Sequence, residues 1–106
     1  MSGLDPVIPT CSVADVEGWL GKPDCPFLLD VREDFEVAAG HIPGIHHIPL
    51  GELEARLSEV PRDRAIVAIC KSGGRSGGAT RFLVASGYHV QNMAGGMLAW
   101  RGPVSR

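Results

Sequence analysis

The chain has 106 residues, 44% of them hydrophobic, and a formal net charge of -2. That length fits one domain with a modest core, and the slightly acidic balance disfavours nucleic acid or an anionic membrane as the main partner, since each is held through a basic face. No apolar stretch has signal-peptide or bilayer-spanning length, and three widely spaced cysteines without a Cys-x-x-Cys pair favour a reducing, cytoplasmic setting over a disulfide scaffold or a structural zinc site.

Met1 to Asp5 reads as a loose terminus of a single domain spanning 1–106. Val7-Ile8 can form a short edge strand between Pro6 and Pro9. Ser12 and Asp15 have the spacing of a capping box. Val13, Val16, Trp19 and Leu20 then recur at helical spacing up to Gly21. Phe27 to Val31 reads as a buried strand, and Glu33 to Ala39 as a short helix closed by Gly40. Ile42 to Pro49 is mostly turn, with a brief strand at His46 to Ile48. Leu53 and Leu57 lie one helical turn apart and predict a helix from Glu52 to Ser58. Pro61 and Asp63 lead into Ala65 to Cys70, an apolar run that reads as a buried strand. A helix begins near Ser76, with Ala79, Phe82, Leu83 and Ser86 along one face and Gly87 at its end. His89 to Met93 is a last strand, and Gly96 to Trp100 a last helical turn. Strands alternating with short helices predict an α/β fold with about five strands, a mainly parallel sheet and helices on both faces.

The segment Cys70-Lys71-Ser72-Gly73-Gly74-Arg75-Ser76 carries the chemistry. A thiol where a strand gives way to a helix sits at the ligand-binding edge of an open parallel sheet. Gly73 and Gly74 allow successive N–H groups to curl inward and leave them unscreened. The helix start adds partial positive charge, and Lys71 and Arg75 add full charges. Such surroundings lower a thiol pKa from about 8.5, often to between ~3.5 and ~7.5. Cys70 is therefore the candidate nucleophile, and Lys71, Ser72, Gly73, Gly74, Arg75 and Ser76 form the candidate anion-binding loop. Cys11 and Cys25 read as small buried hydrophobes. Gly77 and Gly78 in the first helical turns suggest close backbone packing or a special loop shape.

Asp30 and Arg32 emerge at the end of a buried strand. They read as a structural ion pair supporting neighbouring loops. His41, His46 and His47 do not suggest a metal site, because adjacent strand residues point to opposite faces and no acidic or cysteine partner stands at ligand spacing. Trp19 and Trp100, large apolar residues at helical positions, read as core. Glu52, Glu54, Arg56 and Glu59 read as a solvated face.

In order and spacing, several segments resemble the rhodanese family of sulfurtransferases. They are the Ser12 helix, Leu29-Asp30-Val31-Arg32-Glu33, Gly40-His41-Ile42-Pro43-Gly44, Ile48-Pro49, the Cys70 loop, Gly87-Tyr88, Asn92 and Gly95-Gly96-Met97-Leu98-Ala99-Trp100. The length is similar to that of single-domain members. The resemblance implies a five-stranded parallel sheet, Cys70 as the sulfur carrier and Trp100 as a wall of the active-site mouth. It implies a sulfane donor such as thiosulfate, a cyanide or thiol acceptor (a protein thiol included), and no cofactor. Four residues separate Cys70 from Arg75, the loop length of the sulfurtransferases. The related phosphatases use one residue more, so phosphatase or arsenate reductase chemistry is the weaker alternative. A non-catalytic or sulfur-relay docking module is the other. Two departures stand out. His46 and His47 replace the Ala and Asn often found there, and Lys71 stands where Arg is frequent, keeping the charge without the two-point donor.

Overall fold

The computed structural model describes residues 8–106. Its elements are β1 (Thr10–Cys11), α1 (Val13–Trp19), β2 (Phe27–Asp30), α2 (Asp34–Ala39), β3 (His46–His47), β4 (Ile66–Ile69), α3 (Gly74–Ala85), β5 (Val90–Met93) and α4 (Gly96–Ala99). The five strands form one parallel sheet in the order β1-β5-β4-β2-β3. After β2 the chain departs toward β3, and after β4 it departs the other way, toward β5. The gap between β2 and β4 is thus a topological switch point, where open α/β sheets place their ligand crevice outside the carboxyl ends of the strands.

Side chains alternate across the sheet and divide the core into two layers. Ile66, Ala68 and Cys70 join Leu29, Val31 and Val90 on one face, covered by Ala79 and Leu83 of α3 and by Leu53. Val67 and Ile69 join Leu28 and Met93 on the other, covered by Val16 of α1 and by Trp100. Ser76, Ala79, Thr80 and Leu83 form the buried stripe of α3, the spacing of one helical face. Its end is a Schellman motif. The Gly87 N–H bonds the Val84 carbonyl, the Tyr88 N–H bonds the Leu83 carbonyl, and Gly87 has φ +95.

Ser12 caps α1 as expected. Its hydroxyl accepts from the Asp15 N–H at 2.9 Å, and the Asp15 carboxylate accepts from the Ser12 N–H at 3.0 Å. Three expectations need correction. The edge strand runs over Thr10–Cys11, not Val7-Ile8, because Pro9 begins the pairing. Its carbonyl accepts from the Asn92 N–H at 2.8 Å, a bond for which proline lacks nothing. Ile8 is outside the strand, and Val7 lies outside the described residues. The expected helix over 52–58 is a pair of 3-10 helices, Leu50–Glu52 and Glu54–Glu59, kinked at Arg56. Leu50 and Leu53 are three apart, the eclipsed repeat of a 3-10 turn. The helix after Cys70 starts at Gly74, two residues early, because Gly73 with φ +104 turns the chain sharply enough for its carbonyl to accept from the Gly77 N–H.

Candidate active site

Cys70 follows β4 at the switch point and has no solvent-accessible surface. Burial alone would make its thiol inert. The loop instead curls around the sulfur. The Gly73 N–H donates to Sγ at 3.1 Å, and the Ser76 hydroxyl oxygen lies 3.2 Å away. Burial pushes the Cys70 pKa up, but bonds from the Ser76 side chain and from the Ser76, Gly73 and Ser72 amides outweigh it and hold the thiol below its ordinary value. These donors, more than any side-chain cation, favour a sulfur anion at this point.

The loop amides can face inward because the loop carbonyls are held from outside. The Met97 N–H bonds the Cys70 carbonyl and the Leu98 N–H bonds the Lys71 carbonyl, each at 2.9 Å. This approach demands glycine at position 96. A Cβ there would lie 2.5 Å from the Lys71 carbonyl carbon and oxygen, and Gly96 has φ +60. Behind the loop, buried Asn92 of β5 donates its Nδ2–H to the Gly73 carbonyl at 3.1 Å, and its Oδ1 lies 2.5 Å from Ser76 Oγ. Gly77 is buried beside Asn92 at ordinary contact distance. Gly78 is exposed over open space, so no close packing accounts for it.

Arg75 is placed differently from its expected role as anion holder. Its guanidinium forms a two-point pair with Glu36 of α2, at 2.7 and 2.9 Å. That pairing holds Glu36 down to about 2 and pushes Arg75 up. Arg75 ties the loop to α2, and its charge still reaches Cys70. Lys71 is exposed and forms no ion pair among the described residues. Beside the loop opens a cavity of about 450 Å³, lined by Arg32, Phe35, Glu36, Ala39, Lys71, Met97 and Leu98. Trp100 is not in that wall. It packs with Val16 and Met93, and its Nε1–H donates to the Pro103 carbonyl.

Asp30 and Arg32 do form a structural pair. The guanidinium reaches the carboxylate at 2.8 to 3.1 Å through three contacts, and both residues are buried. Arg32 also donates to the Gly40 carbonyl at 2.9 Å, so the pair fixes the turn after α2. His46 and His47 turn apart. His46 pairs with Glu59 at 2.7 Å, within the Glu52–Arg56–Glu59 surface network, while His47 Nε2 reaches the Arg32 carbonyl at 2.7 Å. His41 Nδ1 meets the Val37 carbonyl at 3.1 Å. Cys11 is buried, but Cys25 is only half-buried, near the surface Arg64. The three cysteines are unpaired.

Three contributors escape a reading of the sequence: Glu36, Asn92 and Gly96. Glu36 carries no local signal. Asn92 carries one, a polar amide inside a buried strand that needs partners. The Gly95-Gly96 pair marks a close backbone approach but not its target.

The model of the family described as the rhodanese-like domain matches residues 12–103. YtwF of Bacillus subtilis is 42% identical over 76 residues, covering 72% of this chain and 74% of that protein. A protein of Allochromatium vinosum named a sulfurtransferase is 42% identical over 74 residues, 69% of each chain. The crystal structure of a rhodanese-like domain protein from Staphylococcus aureus superposes with a TM-score of 0.87 at 26% identity, covering 92% of this chain and 97% of that one. Among the described residues, no helix is long and apolar enough to cross a membrane.

Proposed function

The chain belongs to the rhodanese-like domain family, and on that premise we propose that it is a sulfurtransferase working through a persulfide on Cys70. The observation that carries this reading is the convergence of the Gly73 N–H and the Ser76 hydroxyl on one buried sulfur, whose thiol is held below its ordinary value. A docking module has no use for such an arrangement. The six-residue loop from Cys70 to Arg75 also lacks the extra residue of the phosphatases.

The Cys70 thiolate attacks the outer sulfur of a sulfane donor such as thiosulfate. The new bond joins Sγ to that sulfur. The donor's sulfur–sulfur bond breaks, and its electron pair leaves with sulfite. Lys71 meets the anionic end of the donor, because Arg75 is engaged by Glu36. The loop amides then stabilise the terminal sulfur anion of the persulfide, as an oxyanion hole stabilises oxygen. A thiolate, on a small molecule or a protein, or cyanide attacks the terminal sulfur and returns the Cys70 thiolate. Since Cys70 has no exposed surface, donor entry requires the loop to part from the sulfur on its exposed side, at Lys71, Ser72 and Gly74. The three unpaired thiols fit a reducing cytoplasmic setting.

The test is intact mass after incubation with thiosulfate. The expected result is a gain of one sulfur atom, reversed by cyanide and absent from Cys70→Ser. No gain, or a gain that persists in Cys70→Ser, overturns the reading.

A further inference from the structure

The two most exposed large apolar side chains among the described residues are Phe35, at 76%, and Leu98, at 68%. They belong to different elements, α2 and α4, yet line one cavity, the one that opens beside the Cys70 loop. Ala39 and Met97 add to its apolar wall. Exposed apolar residues scattered singly are ordinary, whereas two that converge on a concavity mark a ligand surface. The walls are also fixed relative to the sulfur. Leu98 and Met97 carry the amides that hold the Lys71 and Cys70 carbonyls, each at 2.9 Å, and α2 is tied to the loop through the Glu36–Arg75 pair. The volume of about 450 Å³ falls in the range of small-molecule sites, roughly 300–1,000 Å³. Thiosulfate or cyanide would leave most of it filled with water against Phe35 and Leu98.

The charges in the lining define what else the occupant carries. Arg32 is closed by Asp30, and Glu36 by Arg75. Lys71 is exposed and forms no ion pair among the described residues. The lining thus offers one uncompensated positive charge, next to Cys70 in sequence, with apolar surface beyond it. An organic thiolate matches that arrangement, with one negative charge on its sulfur and an apolar body behind it.

We infer that this cavity is the acceptor subsite of the proposed transfer, and that its acceptor is a small organic thiol with an apolar body. The inference rests on the persulfide reading of Cys70. The thiolate enters with its sulfur toward Lys71 and its carbon body against Phe35, Ala39, Met97 and Leu98. Its electron pair forms a bond to the terminal sulfur of the Cys70 persulfide. The bond from Sγ to that sulfur breaks, and its pair restores the Cys70 thiolate. One anion enters and one, the organic persulfide, leaves, so the step needs no proton and no further reactant. Phe35 and Leu98 are then specificity-determining residues. Burial of the acceptor's apolar surface against them discriminates against polar thiols.

The test loads Cys70 with sulfur from thiosulfate, removes the donor, and mixes the protein with phenylmethanethiol or 2-sulfanylethanol, two thiols of similar acidity. Loss of the added sulfur is followed by intact mass. Phenylmethanethiol should remove it about tenfold faster, the low end of what an apolar group is worth in a pocket. Phe35→Ala should cut that ratio at least about threefold. Val84→Ala, which alters an exposed apolar residue of α3 outside the cavity, should keep it. Equal rates in the parent protein, the outcome a protein acceptor seated on the patch would give, overturn the inference. So does a ratio that Phe35→Ala leaves unchanged. If Cys70 takes up no sulfur, the proposed function fails, and the subsite is decided by phenylacetate, which has the apolar body and the single charge but no sulfur to transfer. In NMR spectra it should shift the Lys71, Met97 and Leu98 amides and the Phe35 ring, while acetate at the same concentration should not. Phenylacetate without shifts at these residues refutes the subsite.

Discussion

Cys11 and Cys70 occupy comparable places in the fold. β1 and β4 flank β5 in the sheet. Each thiol lies at the carboxyl end of its strand, is buried, and is followed within four residues by a helix. Their chemistry diverges. Burial, with a smaller contribution from the Asp15 charge, pushes the Cys11 thiol up to about 11, whereas Cys70 is held below its ordinary value. The difference lies in where the first amides of the next helix point. After Cys11, the Ser12 and Asp15 N–H groups are taken by the capping box, which adds a carboxylate. After Cys70, the chain turns through Gly73 and aims its N–H groups back at the sulfur. A strand end before a helix becomes a reactive site only when those donors are left for it.

The most severe way to break this comparison is to exchange the thiols. Cys70→Ser should reduce sulfur transfer to background, while Cys11→Ala should leave it within about twofold, the ordinary tolerance for a change outside the site. Transfer assays with equal protein decide it. Next comes Gly96→Ala, which adds a methyl where the Cys70 and Lys71 carbonyls stand within 2.6 Å. The loop should be displaced, with transfer reduced at least about tenfold and stability by about 1–3 kcal/mol. In that variant Cys70 should react with iodoacetamide more as Cys11 does.

Glu36→Gln has a smaller expected effect, about 1 kcal/mol at neutral pH, because the Arg75 partner is partly exposed. The pH dependence carries a sign. Glu36 is held at about 2 in the folded protein against 4.5 ordinarily, so its contribution is present above about 4.5 and is lost as pH falls toward about 2. Denaturant melts across that range should show the loss in the parent protein and not in Glu36→Gln. The mildest change is Asp15→Asn. It removes the charge that raises Cys11 and weakens the capping box, at a cost of about 0.5 kcal/mol. In a Cys70→Ser protein, Cys11 should then be alkylated at a slightly lower pH.

What could be read from the sequence was local. The capping box at Ser12 and Asp15, the Gly87 terminus, the Asp30–Arg32 pair and the Cys70 loop each fall within a few residues, where spacing alone fixes geometry. The partner of Arg75 could not be read. Glu36 is 39 residues away, and which carboxylate meets the guanidinium depends on how α2 lies beside the loop. Asn92 was visible as a polar residue in an apolar strand, but its partners belong to α3 and the loop. The 3-10 turns were missed because Leu53 and Leu57 fit an α-helical repeat while Leu50 and Leu53 fit a tighter one. Pro9 was read as ending a strand that it begins, since only its missing N–H was considered and not its carbonyl.

The two amides that anchor the Cys70 and Lys71 carbonyls come from Met97 and Leu98, which a ribosome delivers more than twenty residues after the cysteine itself. A nascent chain therefore carries Cys70 for some time as an unremarkable sulfhydryl. Its acidity is acquired only when the closing segment docks, so the rate at which this thiol is alkylated during refolding reports the docking of Met97 and Leu98 against the loop.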